Sequence, residues 1–388
     1  MKDDTMKILI VRTFPDILNL NSYNVQEVGL ARALTVKGHQ CDIVLYGGKR
    51  ADHEEHFSFV HEGKKHSFTI YWLKGYAFFK NGYMPSVKKL MEDYDVIQVH
   101  EYDQIQSHMI YNKGRKPVVI YHGPYYHPYA KGYNFKCKVF DMLFLHGKHY
   151  QSVPALTKSI PAKEFLESKG FRNVKAVGVG VDEGNFINFA QARELISKPR
   201  EGVFRMLYVG KIEDRRNVYF LVEVFRKLLS KNPDMELVII GDGEENYKRE
   251  FLLSIEKEIK EGKIIYQQKV AQAQLPDIYK SADLFLFTSN YEIFGMVLLE
   301  AMYFGLPVIS SKNGGSVTLI EQGVNGFVIN GFEADEWVEN IERLLFNKDT
   351  HKNMSRMAKK TIEEKYLWSR LVDRFIETYQ EALHRENC

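Results

Sequence analysis

Cysteine is scarce in this chain of 388 residues: three in all, Cys41, Cys137 and Cys388. They form no CxxC pair and no disulfide framework, which fits a reducing compartment and argues against a disulfide-stapled secreted scaffold. No stretch approaches the roughly 18 to 20 uninterrupted apolar residues of a membrane span, so an integral membrane protein is excluded. The opening Met1 to Thr5 is polar and charged and lacks the apolar core of a secretory leader. A cytoplasmic location is therefore expected, extending at most to the inner face of a membrane. Neither GxGxxG nor GxxxxGK followed by Ser or Thr occurs, which argues against nicotinamide and ATP chemistry. There is no internal repeat and no low-complexity segment. The net charge is only +3 and no binding motif accompanies it, so a nucleic-acid partner is not expected.

What is present is ordinary in amount and uneven in distribution. Apolar residues make up 45% and charged residues 27%, the composition of a folded globular chain, and the length suggests two domains. Residues 1–185 hold 25 Lys and Arg against 19 Asp and Glu, and 11 of the 13 histidines; the remainder is slightly acidic. A basic first half either meets an acidic partner or simply keeps a surface soluble.

Hydrophobic periodicity gives two successive runs of alternating strand and helix. The first opens with the apolar Lys7–Val11, a helix from Val25 to Leu34 and a strand from Cys41 to Tyr46, a βαβ unit. Strands follow at Val96–Val99, Pro117–Tyr121, Ser152–Leu156 and Val174–Val177, with a helix near Ala162–Lys169. Phe57–Val60 and His66–Leu73 read as an antiparallel hairpin beside the parallel sheet. The second run has strands at 204–209, 235–240, 263–266, 283–287 and 306–310, helices at 217–230, 244–260, 273–281 and 295–304, and then a helical tail. Two such runs predict two doubly wound parallel sheets, with ligands beyond the carboxyl ends of the strands and the cleft between domains as the default site. The Gly- and Pro-punctuated stretch 180–203 is the expected boundary.

Within the second run, Glu292 and Glu300 are eight apart, with Phe294-Gly295-Met296 between them. A helix starting near Gly295 aims free N–H groups and a positive dipole end outward, flanked by two carboxylates. Amides there would take a phosphate and carboxylates sugar hydroxyls; the alternative is a capped helix with surface acids. Gly210-Lys211-Ile212-Glu213-Asp214-Arg215-Arg216-Asn217, between a strand and a helix, collects three cations where a diphosphate could be clamped. Two other patterns carry no site. His53, His56, His61 and His66 match no zinc spacing, and Asp93-Tyr94-Asp95 falls at the wrong end of a strand, so no metal ligands are assigned.

The run from Tyr291 to Met302, followed by Gly305-Leu306-Pro307-Val308-Ile309, resembles the E-x7-E motif of family 4 retaining glycosyltransferases. Tyr121-His122-Gly123, Gly180-Val181-Asp182 with Phe186, Tyr208-Val209-Gly210-Lys211, Gly241-Asp242-Gly243, Gly314-Gly315 and Asn325-Gly326 fall in that family's order. The resemblance covers most of the chain and is strongest from 204 to 330. It implies an α/β GT-B fold, two Rossmann-like doubly wound domains facing across a cleft. The N-terminal acceptor domain would be 1–185 and the C-terminal nucleotide-sugar donor domain 186–365, with a helix at 366–388 packing back on the first. It implies that Lys211 and Arg216 bind the donor diphosphate beside Gly210, that the amides of Phe294, Gly295 and Met296 cradle phosphate, and that Glu300 holds the ribose. Glu292 would face the sugar hydroxyls, His122 would reach the donor sugar, and Val270 would contact the base through its main chain. Three positions depart from the pattern: Lys211 and Arg216 exchange the usual order of Arg and Lys, Asn21-Ser22 replaces Gly-Gly, and Thr318 stands where a carboxylate is common.

The activity implied is hexosyl transfer from a nucleoside-diphosphate sugar to a hydroxyl, on a carbohydrate or lipid-linked acceptor or a surface-polysaccharide precursor. The nucleotide sugar is the donor substrate, and no cofactor is expected. Rival readings are a catalytically inactive GT-B partner of another glycosyltransferase and a sugar epimerase or phosphorylase on the same fold. Residues 123–150 interleave aromatics with Lys131, Lys136, Lys138 and Lys148. Three readings stay open: peripheral contact with anionic membrane, a carbohydrate platform, or a helix burying Val139, Met142, Leu143 and Leu145.

Overall fold

The computed structural model describes residues 5–20, 25–113, 116–182, 199, 201–268, 270 and 274–386. The chain divides into two compact units, Met1–Asp182 with Leu367–Cys388, and Glu183–Tyr366.

In chain order the first unit comprises β1 (Lys7–Val11), α1 (Gln26–Val36), β2 (Gln40–Tyr46), β3 (His53–His61), β4 (Lys64–Leu73), β5 (Tyr76–Phe78) and β6 (Asn81–Tyr83). There follow α2 (Val87–Leu90), β7 (Val96–His100), α3 (Ile105–Lys113), β8 (Val118–His122), α4 (Lys131–Phe144), β9 (Ala155–Thr157), α5 (Ile160–Ser168) and β10 (Val174–Ala176). Eight strands form one sheet in the order β10-β9-β8-β7-β1-β2-β4-β3, parallel except for the β3–β4 pair. β7 and β8 are buried at every position and β1 at all but its first, the pattern of strands covered on both faces. The expected antiparallel hairpin exists and is continuous with the parallel strands. β4 pairs in parallel with β2, so the hairpin extends the sheet to its edge. The strand expected from Ser152 starts only at Ala155, because His149–Ser152 forms a 3-10 turn.

The second unit runs β11 (Phe204–Val209), α6 (Val218–Lys231), β12 (Met235–Ile240), α7 (Glu245–Ser254), α8 (Glu256–Lys260), β13 (Ile264–Gln267), α9 (Leu275–Lys280) and β14 (Leu284–Phe287). It continues with α10 (Met296–Tyr303), β15 (Val308–Ser311), α11 (Ser316–Leu319), β16 (Gly326–Ile329), α12 (Ala334–Phe346) and α13 (Lys348–Lys365). Its six parallel strands are ordered β13-β12-β11-β14-β15-β16, the doubly wound order that reverses between β11 and β14. The helix expected over 244–260 breaks at Ile255, whose side chain is buried in the core cluster under the sheet. β16 interrupts the expected helical tail. Only four residues long, it follows the Asn325 turn and is held by its pairing with β15, which local periodicity does not record.

The last helix, α14 (Trp368–Glu386), belongs to the first unit. Trp368, Leu371, Val372, Phe375 and Tyr379 are buried at the spacing of one helical face. The Trp368 N–H donates to the Val181 carbonyl at 3.1 Å, and the Tyr379 hydroxyl donates to Gln98 Oε1 at 2.6 Å. The indole lies on backbone left bare by two glycines: a β-carbon on Gly29 or Gly180 would come within 2.2 or 2.3 Å of ring atoms.

α4 sorts its side chains differently from the third sequence reading. It buries Cys137 and Phe140, whereas Met142 and Leu143 are exposed and Val139 and Leu145 only half-buried. The helix is held by contacts to the loop after β7: Tyr102 donates to Asp141 at 3.0 Å and Lys136 pairs with Asp103 at 2.8 Å. Those anchors set which face turns inward. No helix among the described residues is long and apolar enough to cross a membrane.

Candidate functional site

In the second unit, the loops after β11, β14 and β15 gather at the carboxyl edge of the sheet, where its strand order reverses. Gly210 and Lys211 leave β11. Tyr208 fixes that exit by donating its hydroxyl to the Lys211 carbonyl at 2.9 Å, while the Lys211 side chain is exposed. Arg216 ends a short 3-10 turn, and Asn217 then takes a left-handed conformation (φ 53°) to begin α6. The Arg215 and Arg216 carbonyls accept from the Asn290 N–H at 2.9 Å and the Thr288 hydroxyl at 2.8 Å, which laces this loop to the one after β14.

Glu292 stands at the junction of the two loops. Its Oε1 takes Arg215 Nη1 at 2.8 Å and the Ser289 hydroxyl at 3.3 Å, and it pairs with Arg216 as well. Arg215 is also bound by Glu213 at 2.7 Å. Burial works against a charged guanidinium here, but the two carboxylates prevail and hold the Arg215 pKa above its ordinary value. Arg216 additionally covers the face of Phe287 at 5.6 Å. The loop thus carries two mutually anchored arginines and one lysine turned outward.

Phe294, Gly295 and Met296 lead into α10. Gly295 is the residue before the helix at φ 76°, a conformation that favours glycine, and it turns the chain into α10, whose first N–H groups lie outside the intrahelical ladder. Their position is fixed from beneath by Gly315, where a β-carbon would fall 1.7 Å from the Phe294 carbonyl oxygen. Asn313 holds Gly315 in turn: its Oδ1 accepts from the N–H groups of Gly315 and Ser316, each at 3.0 Å. The Gly314 N–H donates to the Glu292 carbonyl at 3.0 Å. Glu300, in the second turn of α10, is buried and accepts from the Tyr279 hydroxyl at 2.9 Å. Val270 is half-buried just beyond β13.

The second unit therefore brings Gly210, Lys211, Arg216, Glu292, Phe294, Gly295, Met296 and Glu300 onto two loops and one helix at a single sheet edge, with Val270 beyond a strand of the same sheet. A helix amino terminus with nearby cations can hold an anion, and flanking carboxylates can accept from hydroxyls. Sequence reasoning counted Arg215 among the cations without giving it a role, and it passed over Asn313 and Tyr279. An Asn before Gly-Gly is a turn signal that could have marked Asn313. Nothing local could have paired Tyr279 with Glu300.

His122 belongs to the first unit, at the carboxyl end of β8, and its side chain is fully buried. Nδ1 lies 2.5 Å from Glu101 Oε2, and the ring stacks on Phe165 with 5.6 Å between centroids. Glu101, Asp103 and His122 each bring one ligand-type atom within 4.8 Å of the others, a grouping the sequence reading did not make. The two carboxylates already face cations: Lys136 lies 2.8 Å from Asp103 and Lys158 3.8 Å from Glu101. Asn21-Ser22 and Phe186 lie outside the described residues. The Thr318 hydroxyl donates to the Gly314 carbonyl at 2.6 Å.

Residues 192–361 match the family described as Glycosyl transferases group 1. The chain is 25% identical over 375 residues to an uncharacterized glycosyltransferase of Methanocaldococcus jannaschii, covering 92% of this chain and 93% of that one. A probable sucrose-phosphate synthase of Thermosipho melanesiensis is 31% identical over 173 residues, 43% of this chain and 39% of that protein's length. Among solved structures, HepE of Anabaena in complex with UDP and glucose superposes with a TM-score of 0.67 at 18% identity, covering 97% of this chain and 99% of its own. Sucrose-phosphate synthase of Thermosynechococcus elongatus gives 0.70 at 15%, covering 98% and 100%. At such identities the structural likeness speaks for the fold, which is GT-B with two Rossmann-like domains. In sequence, residues 192–361 are similar to group 1 glycosyltransferases.

Proposed function

We propose that this chain is a retaining glycosyltransferase of the family 4 type, moving a hexose from a nucleoside diphosphate to a hydroxyl of a carbohydrate or lipid-linked acceptor. The observation that carries the reading is the convergence of Lys211, Arg216, the amino terminus of α10, Glu292 and Glu300 at one edge of the second sheet. In this reading Lys211, Arg216 and the amides of Gly295 and Met296 take the diphosphate, Glu300 the ribose and Glu292 the sugar hydroxyls, with Val270 beside the base.

The chemistry then asks little covalent work of the protein. The bond from the anomeric carbon to the diphosphate oxygen breaks, and the acceptor oxygen bonds to that carbon on the same face. The acceptor's proton passes to the departing phosphate. Glu292 is poorly suited to act as a nucleophile, because both arginines already engage its carboxylate. The cations and the helix terminus instead stabilise the negative charge that grows on the leaving group.

The same reading gives α4 a peripheral role at an anionic membrane. Phe135, Met142 and Leu143 are 70%, 66% and 55% exposed, with Lys131 and Lys138 exposed on the same helix and Lys148 exposed just past its end. An apolar stripe flanked by lysines suits a lipid–water interface.

The deciding measurement pairs a thermal-shift panel of UDP-, GDP- and ADP-sugars with an assay for nucleoside diphosphate release. A donor at 100 times its dissociation constant should stabilise the fold by about 2.7 kcal/mol and be turned over with its anomeric configuration kept. A chain that binds no sugar nucleotide, or that inverts the anomeric centre, would overturn the proposal.

A further inference from the structure

The short ribbon of β5 and β6 turns through two residues, Phe79 and Lys80, between the paired Phe78 and Asn81. Both are left-handed, at φ 44° and 61°. A two-residue hairpin turn with positive φ at both central positions is ordinarily built from Asn-Gly, because a bulky side chain is strained there. This chain keeps a phenylalanine and a lysine at that place, and the surroundings hold them. Asn81, itself buried, donates from Nδ2 to the Phe79 carbonyl at 3.0 Å and accepts at Oδ1 from the Ile105 N–H at 3.0 Å. The Gly82 N–H donates to the Thr13 carbonyl at 2.9 Å, and the Gly75 N–H to the Gly48 carbonyl at 2.8 Å. Thr13, Gly48 and Ile105 follow β1, β2 and β7, so the ribbon is bolted to the carboxyl edge of the first sheet.

The strained turn presents apolar surface to water. Phe79 is 94% exposed, Tyr76 61% and Phe78 41%. Tyr76 and Phe78 are two apart on one strand and share a face of the ribbon. From Lys74 to Met91 the chain has four lysines, Lys74, Lys80, Lys88 and Lys89, all exposed, and no Asp or Glu. The carboxylate bound at the foot of the ribbon, Asp52, accepts from the Lys74 N–H at 2.6 Å. Strain kept at an exposed aromatic points to a use for that aromatic. Such a tip is too small for a shape-matched protein interface, whereas a bilayer requires no matching shape, and the unopposed lysines select an anionic one.

We propose that the β5–β6 ribbon is a membrane wedge: Phe79, with Phe78 and Tyr76 behind it, enters the interface of an anionic bilayer while Lys74 and Lys80 meet lipid headgroups. The proposal rests on the membrane role given to α4 above and deepens it in two ways. It adds an anchor whose shape is fixed before binding, so that little ordering is needed on contact. It also sets the carboxyl edge of the first sheet against the lipid surface, which favours a lipid-linked acceptor over a free carbohydrate.

The test uses the full chain with vesicles of mixed phosphatidylserine and phosphatidylcholine, and of phosphatidylcholine alone. Phe79→Trp places a reporter at the tip, the three native tryptophans all being buried. Its emission should shift to the blue on the anionic vesicles and be quenched by brominated acyl chains, with neither change on phosphatidylcholine alone. Phe79→Asn removes the ring, keeps every charge and suits a left-handed turn; it should lower the partition coefficient on anionic vesicles about tenfold while the melting temperature holds or rises. An unshifted and unquenched reporter, or a Phe79→Asn chain that partitions like the wild type, would overturn the wedge. The role of α4 is read separately. If neutralising Lys131, Lys138 and Lys148 abolishes partition and Phe79→Asn does not alter it, the membrane reading stands and the wedge falls; a wild type that ignores anionic vesicles removes both. A blue shift that needs no lipid and grows with protein concentration would assign the tip to a second copy of the chain and overturn the lipid proposal.

Discussion

Gly315 abuts the carbonyl oxygen of Phe294 so closely that a β-carbon built on it would lie 1.7 Å from that oxygen. Its own φ, −71°, is open to any residue, so the requirement is one of space alone. Gly315→Ala must push the start of α10 out of place. It should cost about 1–3 kcal/mol in urea unfolding and weaken nucleoside diphosphate binding by calorimetry. Gly331→Ala, where a β-carbon meets nothing within 4 Å, is the control and should do neither.

Lys211 is exposed at the strand end, unlike its two neighbouring arginines. Lys211→Ala should weaken nucleoside diphosphate more than nucleoside monophosphate, by on the order of 1.5–3 kcal/mol for a lost charged hydrogen bond. Equal losses on both ligands, with an unchanged melting temperature, would place the lysine away from the terminal phosphate.

The two glutamates should separate by ligand. Glu300→Gln keeps an oxygen for the Tyr279 hydroxyl, so the fold should survive while free diphosphate and whole donor both bind more weakly. Glu292→Gln should leave the free diphosphate nearly unaffected and depress turnover, since its target exists only in the complete donor. Arg215→Gln, which releases Glu292 from one of its anchors, should resemble Glu292→Gln in rate. Calorimetry on both ligands beside initial rates decides this.

His100 predicts an acid-sensitive fold. Burial lowers its pKa from 6.5 to about 4, Lys158 and Arg12 acting in the same direction against Glu27 and Glu101. The unfolded chain therefore takes up this proton first as pH falls. The stability linked to His100 is complete above 6.5 and is lost progressively toward 4, amounting to on the order of 3 kcal/mol. Urea unfolding at pH 7.5, 5.5 and 4.5 should show the decline, and His100→Gln should flatten it within that window.

Neutralising Lys131, Lys138 and Lys148 should reduce sedimentation with phosphatidylserine vesicles at low salt and leave neutral vesicles unaffected. Lys136 is left out because it pairs with the buried Asp103, and removing it would strand that carboxylate. Failure of the wild type to sediment with anionic vesicles would remove the membrane role.

Strands with unbroken apolar runs were the most legible part of the sequence. Lys7–Val11, Phe204–Val209 and Met235–Ile240 begin and end where they were expected, because burial on both faces leaves little freedom in composition. β16 was not legible, since its register comes from β15 across the sheet and not from its own four residues. At the candidate site, the spacing of Glu292 and Glu300 located one helix and the loop before it. The clasp of Arg215 on Glu292 and the bond from Tyr279 to Glu300 join residues 77 and 21 apart, a separation no local pattern reports. α4 was misjudged for a similar reason: Lys136 and Asp141 are anchored by residues around the end of β7, so its buried face follows from partners and not from its own hydrophobic spacing.

The seat of Trp368 on Gly29 and Gly180 has a bearing on the order in which the protein is made. A ribosome delivers residues 1–182 first, yet the helix that covers Gln98, Tyr121 and Val181 arrives only with the last twenty or so residues. Glu183–Tyr366 is contiguous and can be completed in the interval. The earlier-born unit is thus the later to mature, waiting with an apolar flank uncovered while its younger neighbour closes. Nascent chains halted near residue 366 should hold a protease-resistant second unit and a first unit that chaperones still recognise.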